Sequence, residues 1–161
     1  MAGAIVHYTI AALQAYFMVM NLTVERFYCH APLKRGDTRL LVPETIDFCE
    51  KFNPLFLSRP EWMRAATCVS AYCFAPCYLL TLVAALTGSL KRVKPVLLLF
   101  IGAKLNAIGF YHFMEFTSSM PPPNPPAYFA VEGPYLISIG LVLYVLFTGG
   151  PPRAPQRAKQ G

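Results

Sequence analysis

Charge is what this sequence has least of. Only 14% of its 161 residues are Asp, Glu, Lys or Arg, whereas 55% are hydrophobic. A water-soluble domain of this length needs a charged shell, so most of this surface is expected to face lipid. Catalytic and nucleotide signatures are missing too: there is no Walker loop, GxGxxG, HExxH or GxSxG. None of the five cysteines forms a CxxC pair. His30 beside Cys29 has no further ligands at metal-binding spacing. No metal site and no cofactor is expected. The cysteines read as small buried hydrophobes, the other reading being a Cys29–Cys49 disulfide within the first loop. The net charge of +6 would suit nucleic acid in a soluble protein. Here the basic residues lie between and after apolar runs, where they meet headgroups and set topology, so nucleic acid is not an expected partner.

What is present is apolar length. The segments Gly3–Val24, Met63–Leu86, Pro95–Phe116 and Ala127–Phe147 each reach the roughly 20 residues that cross a hydrocarbon core of about 30 Å. The fold class is therefore all-α, an integral membrane bundle of four transmembrane helices over residues 1–150, followed by a basic, Pro-rich tail at 151–161. The first apolar run lacks a basic flank and a small-residue cleavage site, and is expected to be retained as a helix.

The first loop holds most of the charge, and Pro43 with Glu44 fits the first turn of a short helix there. Trp62 and Arg64 suit the membrane interface. Pro76 removes a backbone donor inside the second span and is expected to kink it. Gly88 fits that helix's C-terminus. The prolines between Met120 and Pro126 predict a stiff extended connector. Lys91, Arg92 and Lys94 share a side with the tail cations Arg153, Arg157 and Lys159, whereas the third loop has no Lys or Arg. This asymmetry places both termini in the cytoplasm or its equivalent.

Polar residues recur on single helical faces. His7, Gln14, Asn21 and Glu25 fall within about 40° of one another. Lys104, Tyr111 and Glu115 do likewise, with His112 nearby and Asn106 opposite. Ser70, Cys73, Cys77 and Thr81 form a milder stripe, and Glu132 and Tyr135 open the fourth span. Such groups should face inward and pair, with Lys104 against Glu25, Glu115 or Glu132 as the expected ion pair. Two readings follow: a pocket for an amphiphile with one polar end, or interhelical hydrogen-bond glue. The candidate ligand-binding residues are Asn21, Glu25, Ser70, Lys104, Tyr111, Glu115, Glu132 and Tyr135. No continuous relay for protons is evident. Gly102 with Gly109, and Gly133 with Gly140, predict close helix approach.

Several segments together resemble the EXPERA-domain family, which includes a sterol Δ8-Δ7 isomerase and the sigma-2 receptor. They are Asn21-Leu22-Thr23-Val24-Glu25, Phe52-Asn53-Pro54-Leu55, Pro60-Glu61-Trp62-Met63-Arg64, Pro76, Tyr111-His112-Phe113-Met114-Glu115 and Gly133-Pro134-Tyr135-Leu136-Ile137. The resemblance runs from the first span to the fourth. It implies Glu25 as a retained site acid, with Asn21 where the isomerase has histidine and Ser70 (or Thr67) where it has a second acid. Asn53 stands where sigma-2-like proteins have aspartate, and Glu132 and Tyr135 stand at the isomerase's Asn and Trp. Isomerisation needs a tuned proton donor and base, and this set is incomplete, so no catalytic residue is expected.

The resulting expectation is a non-catalytic accessory or scaffold subunit of a larger membrane complex, with a respiratory-type assembly as one setting, that keeps a lipid or sterol site. The alternative is a stand-alone binder of sterol or another amphiphile. Expected partners are membrane lipids, sterol and other subunits. The resemblance implies the endoplasmic reticulum, and the scaffold reading the mitochondrial inner membrane.

Overall fold

The computed structural model of the protein describes residues 2–148. The 151–161 tail and the Gly149–Gly150 stop lie outside the described residues. Four helices are long and apolar enough to span a membrane: α1 (Gly3–His30), α4 (Glu61–Leu86), a third over Leu90–Phe116, and α6 (Pro125–Thr148). Between α1 and α4 lie the short α2 (Val42–Phe52) and α3 (Pro54–Ser58). The third span opens with a 3-10 turn, Leu90–Val93, and continues as α5 (Lys94–Phe116). No strand occurs among the described residues. The chain is a multi-pass, all-α membrane bundle.

Outward-facing side chains fit a lipid solvent. Leu99 is 77% exposed and Phe113 is 65% exposed, values that water would penalise and hydrocarbon would not. Asn106 also faces outward, as its helical position predicts. α1 packs against α4 and α6. The tightest apolar packing lies at the termini end, where Ile10, Ala84, Leu90, Leu97, Ile101 and Val142 meet. Farther along, aromatic rings replace aliphatic chains: Phe17 stacks on Tyr135 at 4.1 Å and meets Tyr78 at 5.5 Å.

The element ends follow their local chemistry. Gly88, at φ +66, lets the Ser89 amide reach the Ala84 carbonyl and its own amide reach Ala85, at 2.8 and 3.2 Å. This is the crossed pair of bonds that closes a helix on a left-handed glycine. α2 begins with Pro43 in its first turn and Glu44 beside it, as the sequence predicts. Pro125 and Pro126 belong to the first turn of α6, so the extended connector is shorter than expected. Proline is tolerated there because a first-turn amide has no intrahelical acceptor.

Three further expectations change. α1 does not stop near Val24 but runs to His30. Its 28 residues span about 42 Å, longer than the hydrocarbon core, so the last turn reaches the headgroup layer where Arg26 is exposed. Arg59 caps that end: Nε donates to the Tyr28 carbonyl at 2.9 Å and Nη2 to Cys29 at 3.0 Å. The paired glycines do not mediate close approach within the chain. A Cβ at Gly102, Gly109, Gly133 or Gly140 would meet nothing within 4 Å.

The cysteine expectation changes most. Cys29 is joined to Cys68, not to Cys49, and the bond ties the end of α1 to the start of α4. Cys49 is a free, buried thiol on α2, and burial pushes it well above the usual thiol range. The cysteines were expected as small buried hydrophobes, with Cys29–Cys49 the alternative; instead the extended α1 carries Cys29 alongside Cys68 of the second span, and Cys73 is exposed. Because the bond closes a separation of 39 residues, Cys29→Ser should destabilise the protein by about 2–4 kcal/mol. Thermal unfolding in detergent, with and without reductant, checks this: reductant should lower the wild-type midpoint and leave that of Cys29→Ser unmoved.

Candidate functional site

Both long helices of the first pair contain a π-helical stretch, Asn21–Glu25 in α1 and Ser70–Phe74 in α4. A π turn holds one residue more than an α turn, is rare, and often marks a functional site. The two stretches face each other. Asn21 bridges them, its Nδ2 donating to the Ser70 carbonyl at 2.6 Å. Pro76 follows directly, within the first turn of the α-helix that resumes at Ala75. The expected kink takes the form of this widened turn, which gives the proline ring room.

The π turns carry Glu25 and Ser70 toward the bundle centre, where a cavity of about 310 Å³ opens. α5 contributes Lys104, Tyr111 and His112, and α6 contributes Glu132 and Tyr135. α2 closes the loop end with Thr45, Phe48 and Cys49. Its register explains this: Val42, Ile46 and Cys49 are buried, while Glu44, Asp47 and Glu50 are exposed. Arg35 holds the outer face through an ion pair with Glu50. Arg39 pairs with Asp37 in the turn before α2 and lies 3.8 Å from the Phe27 ring centre. That pairing holds the Asp37 carboxyl down, to about 2.

The first-helix polar stripe divides cleanly. His7 Nδ1 donates to the Ala85 carbonyl at 3.0 Å, and Gln14 Nε2 to Ser138 Oγ at 2.6 Å. With Asn21, these join helices. Glu25 instead lines the cavity, and its Oε2 is buried without a hydrogen-bond partner. His112 Nε2 is likewise buried and unpartnered. Different residues thus do two things: His7, Gln14 and Asn21 bond between helices, and Glu25 with His112 lines a cavity.

Lys104 does not form the expected ion pair. Among the described residues no carboxylate oxygen lies within 4.0 Å of its Nζ. The ammonium instead sits in a box of rings, 4.6 Å from the Tyr135 centre, 5.1 Å from Phe74 and 5.3 Å from Tyr78. Each such contact contributes about 0.5–2 kcal/mol. Glu25 and Glu132 act on Lys104 through space. Glu115 is engaged elsewhere: fully buried, it accepts from Asn53 Nδ2 at 2.7 Å and from the Tyr128 hydroxyl.

Of the eight candidate residues, Glu25, Ser70, Lys104, Tyr111, Glu132 and Tyr135 line the cavity. Asn21 and Glu115 do not; Asn21 Nδ2 and the Glu115 carboxylate instead make hydrogen bonds that hold elements together. The wall contributed by α2 was missed, as was His112 as a lining group. The amphipathic spacing of Val42, Ile46 and Cys49 was the available signal for α2. Comparison with known protein families, curated proteins and solved structures finds no match to this chain.

The Glu115 network makes a separable prediction. Glu115→Ala orphans the Asn53 amide and the Tyr128 hydroxyl, at about 1–3 kcal/mol for each. Unfolding in mixed micelles should register the loss, while Glu115→Gln, which keeps one acceptor, should cost less. Equal stability of both variants and wild type would show that the network carries no weight.

Proposed function

We propose that the chain is a non-catalytic, EXPERA-like membrane protein that holds an apolar ligand by one polar end, in the cavity between its spans. One observation carries this reading. Glu25 Oε2 and His112 Nε2 are buried without a hydrogen-bond partner and line the same cavity as Lys104, which has no carboxylate oxygen within 4.0 Å among the described residues. Polar groups left unpaired at membrane depth are costly unless water or a ligand satisfies them. Apolar and aromatic walls around a few convergent polar groups are the usual make-up of a small-molecule site. The resemblance makes sterol the first ligand to test.

Isomerase chemistry is not part of the proposal. Asn21, at the position where the resemblance implies an imidazole, commits its amide to the Ser70 carbonyl. Ser70 itself stands where a second acid would be and cannot act as one.

An accessory-subunit role is compatible with a retained ligand. The open space over Gly102, Gly109 and Gly140 favours it, since small residues on an outer face let another helix approach closely. The endoplasmic reticulum is the proposed location, with the mitochondrial inner membrane the rival for a complex subunit. The Cys29–Cys68 bond lies at the loop end, opposite Lys91, Arg92 and Lys94. With basic loops in the cytosol, the disulfide faces a lumen, where such bonds persist.

Protein purified gently from its own membranes should carry lipid or sterol in near-stoichiometric amount by native mass spectrometry. Glu25→Gln with Glu132→Gln should lose most of it; unchanged lipid content in the double variant sinks the proposal. For orientation, Thr38→Cys in sealed microsomes should react with an impermeant maleimide only after permeabilisation. Immediate labelling would reverse the topology.

A further inference from the structure

A second, smaller cavity of about 20 Å³ shares Lys104 and Tyr135 with the first. That is enough space for a water, which needs about 10–15 Å³. All four spans contribute to its wall. Gln14 of α1, Thr81 of α4, Lys104 of α5 and Ser138 of α6 are polar members, and Leu97 and Ile101 are apolar ones.

The hydrogen bonds of these polar side chains do not close among themselves. Gln14 is 3% exposed; its Nε2 donates to Ser138 Oγ at 2.6 Å, and its Oε1 is buried with no partner. Exchanging the two ends of the amide would only strand the nitrogen instead. Lys104 is 8% exposed and carries three donors, and no protein acceptor is bonded to it among the described residues. Ser138 accepts from Gln14 and keeps its own hydroxyl proton to donate. Thr81 Oγ1 donates to the Cys77 carbonyl at 2.7 Å and can still accept.

Unpaired donors and unpaired acceptors therefore face one space in the hydrocarbon region, where leaving them so is costly. The neutral oxygens alone would suit a cation, but the Lys104 ammonium already places a positive charge there. An anion would suit Lys104 but would face Gln14 Oε1 and the Thr81 lone pairs. Water is uncharged and both donates and accepts. We propose that this cavity is a hydration site, whose water accepts from Lys104 Nζ and donates to Gln14 Oε1, with Thr81 and Ser138 completing its partners. The water links Lys104 to the Gln14–Ser138 bond that joins α1 to α6, and makes Gln14 a positioning residue for the ammonium. It also accounts for a lysine that stands apart from Glu25 and Glu132 without direct pairing. Leu97 and Ile101 belong to the aliphatic cluster at the termini end, so the site is a dead end and not part of a path across the membrane. The inference does not depend on a ligand in the larger cavity.

Hydroxyl-radical footprinting tests it: full-length protein in nanodiscs is irradiated briefly with X-rays and its oxidised residues are read by mass spectrometry. A radical formed from a bound water oxidises the side chains beside it, even where bulk solvent does not reach. Leu97 and Ile101 line the site; Leu90 and Ile10 are buried residues of the same two types that do not. Wild type should be oxidised at Leu97 and Ile101 and spared at Leu90 and Ile10. Gln14→Leu and Lys104→Leu each remove one of the water's hydrogen bonds and should lower oxidation at Leu97 and Ile101 by about tenfold. Leu97 and Ile101 oxidised no more than Leu90 and Ile10 in wild type overturns the inference, and that comparison needs no variant to fold. Undiminished oxidation in either variant overturns the bridge between Lys104 and Gln14.

Discussion

A carbonyl or amide inside the hydrocarbon region has no water to bond to, and leaving it unpaired costs several kcal/mol. The polar side chains of α1 show how this chain meets that constraint. His7 reaches a backbone carbonyl of α4, Gln14 reaches Ser138 on α6, and Asn21 reaches the Ser70 carbonyl across two widened turns. Each bond fixes one level of the bundle, and the residues between them supply the apolar packing. On the loop side, Glu115 performs the same task for α3 and α6 through Asn53 and Tyr128. The cavity lies between these two bonded levels.

This placement separates support from recognition. Below the cavity, aliphatic residues and small alanines pack closely. Around it rings take over, among them Phe48, Phe74, Tyr111 and Tyr135. Glu25 Oε2 and His112 Nε2 stand buried and unpartnered at the cavity, whereas each side chain that braces the helices makes at least one hydrogen bond.

Four spans, their order and the inward stripes of the first and third were legible from apolar length and helical spacing, whereas Cys73 in the second span's expected stripe is exposed. Asn106 facing outward and Gln14 facing inward both follow from a single angular step. The partners of the inward groups were less legible. Lys104 was expected to pair with a glutamate because opposite charges attract, but Glu115 is held by Asn53, the capping residue between the two loop helices, which periodicity does not place. Cys29 was expected in a loop because Glu25 and Arg26 look like a helix end. Charge marks where a helix leaves hydrocarbon, not where the helix stops, and the extra turn beyond Arg26 carried the thiol to Cys68.

The facing π turns bear on how this sequence can change over generations. Each holds one residue beyond the α pattern, so deleting a residue from either would turn everything past it by about 100°. In α1 that rotation would swing Tyr28 and Cys29 away from Arg59 and Cys68. In α4 it would turn the lipid-facing side by that same angle along the remainder of the span. A length change within one turn is therefore tolerable only with a matching change across the interface.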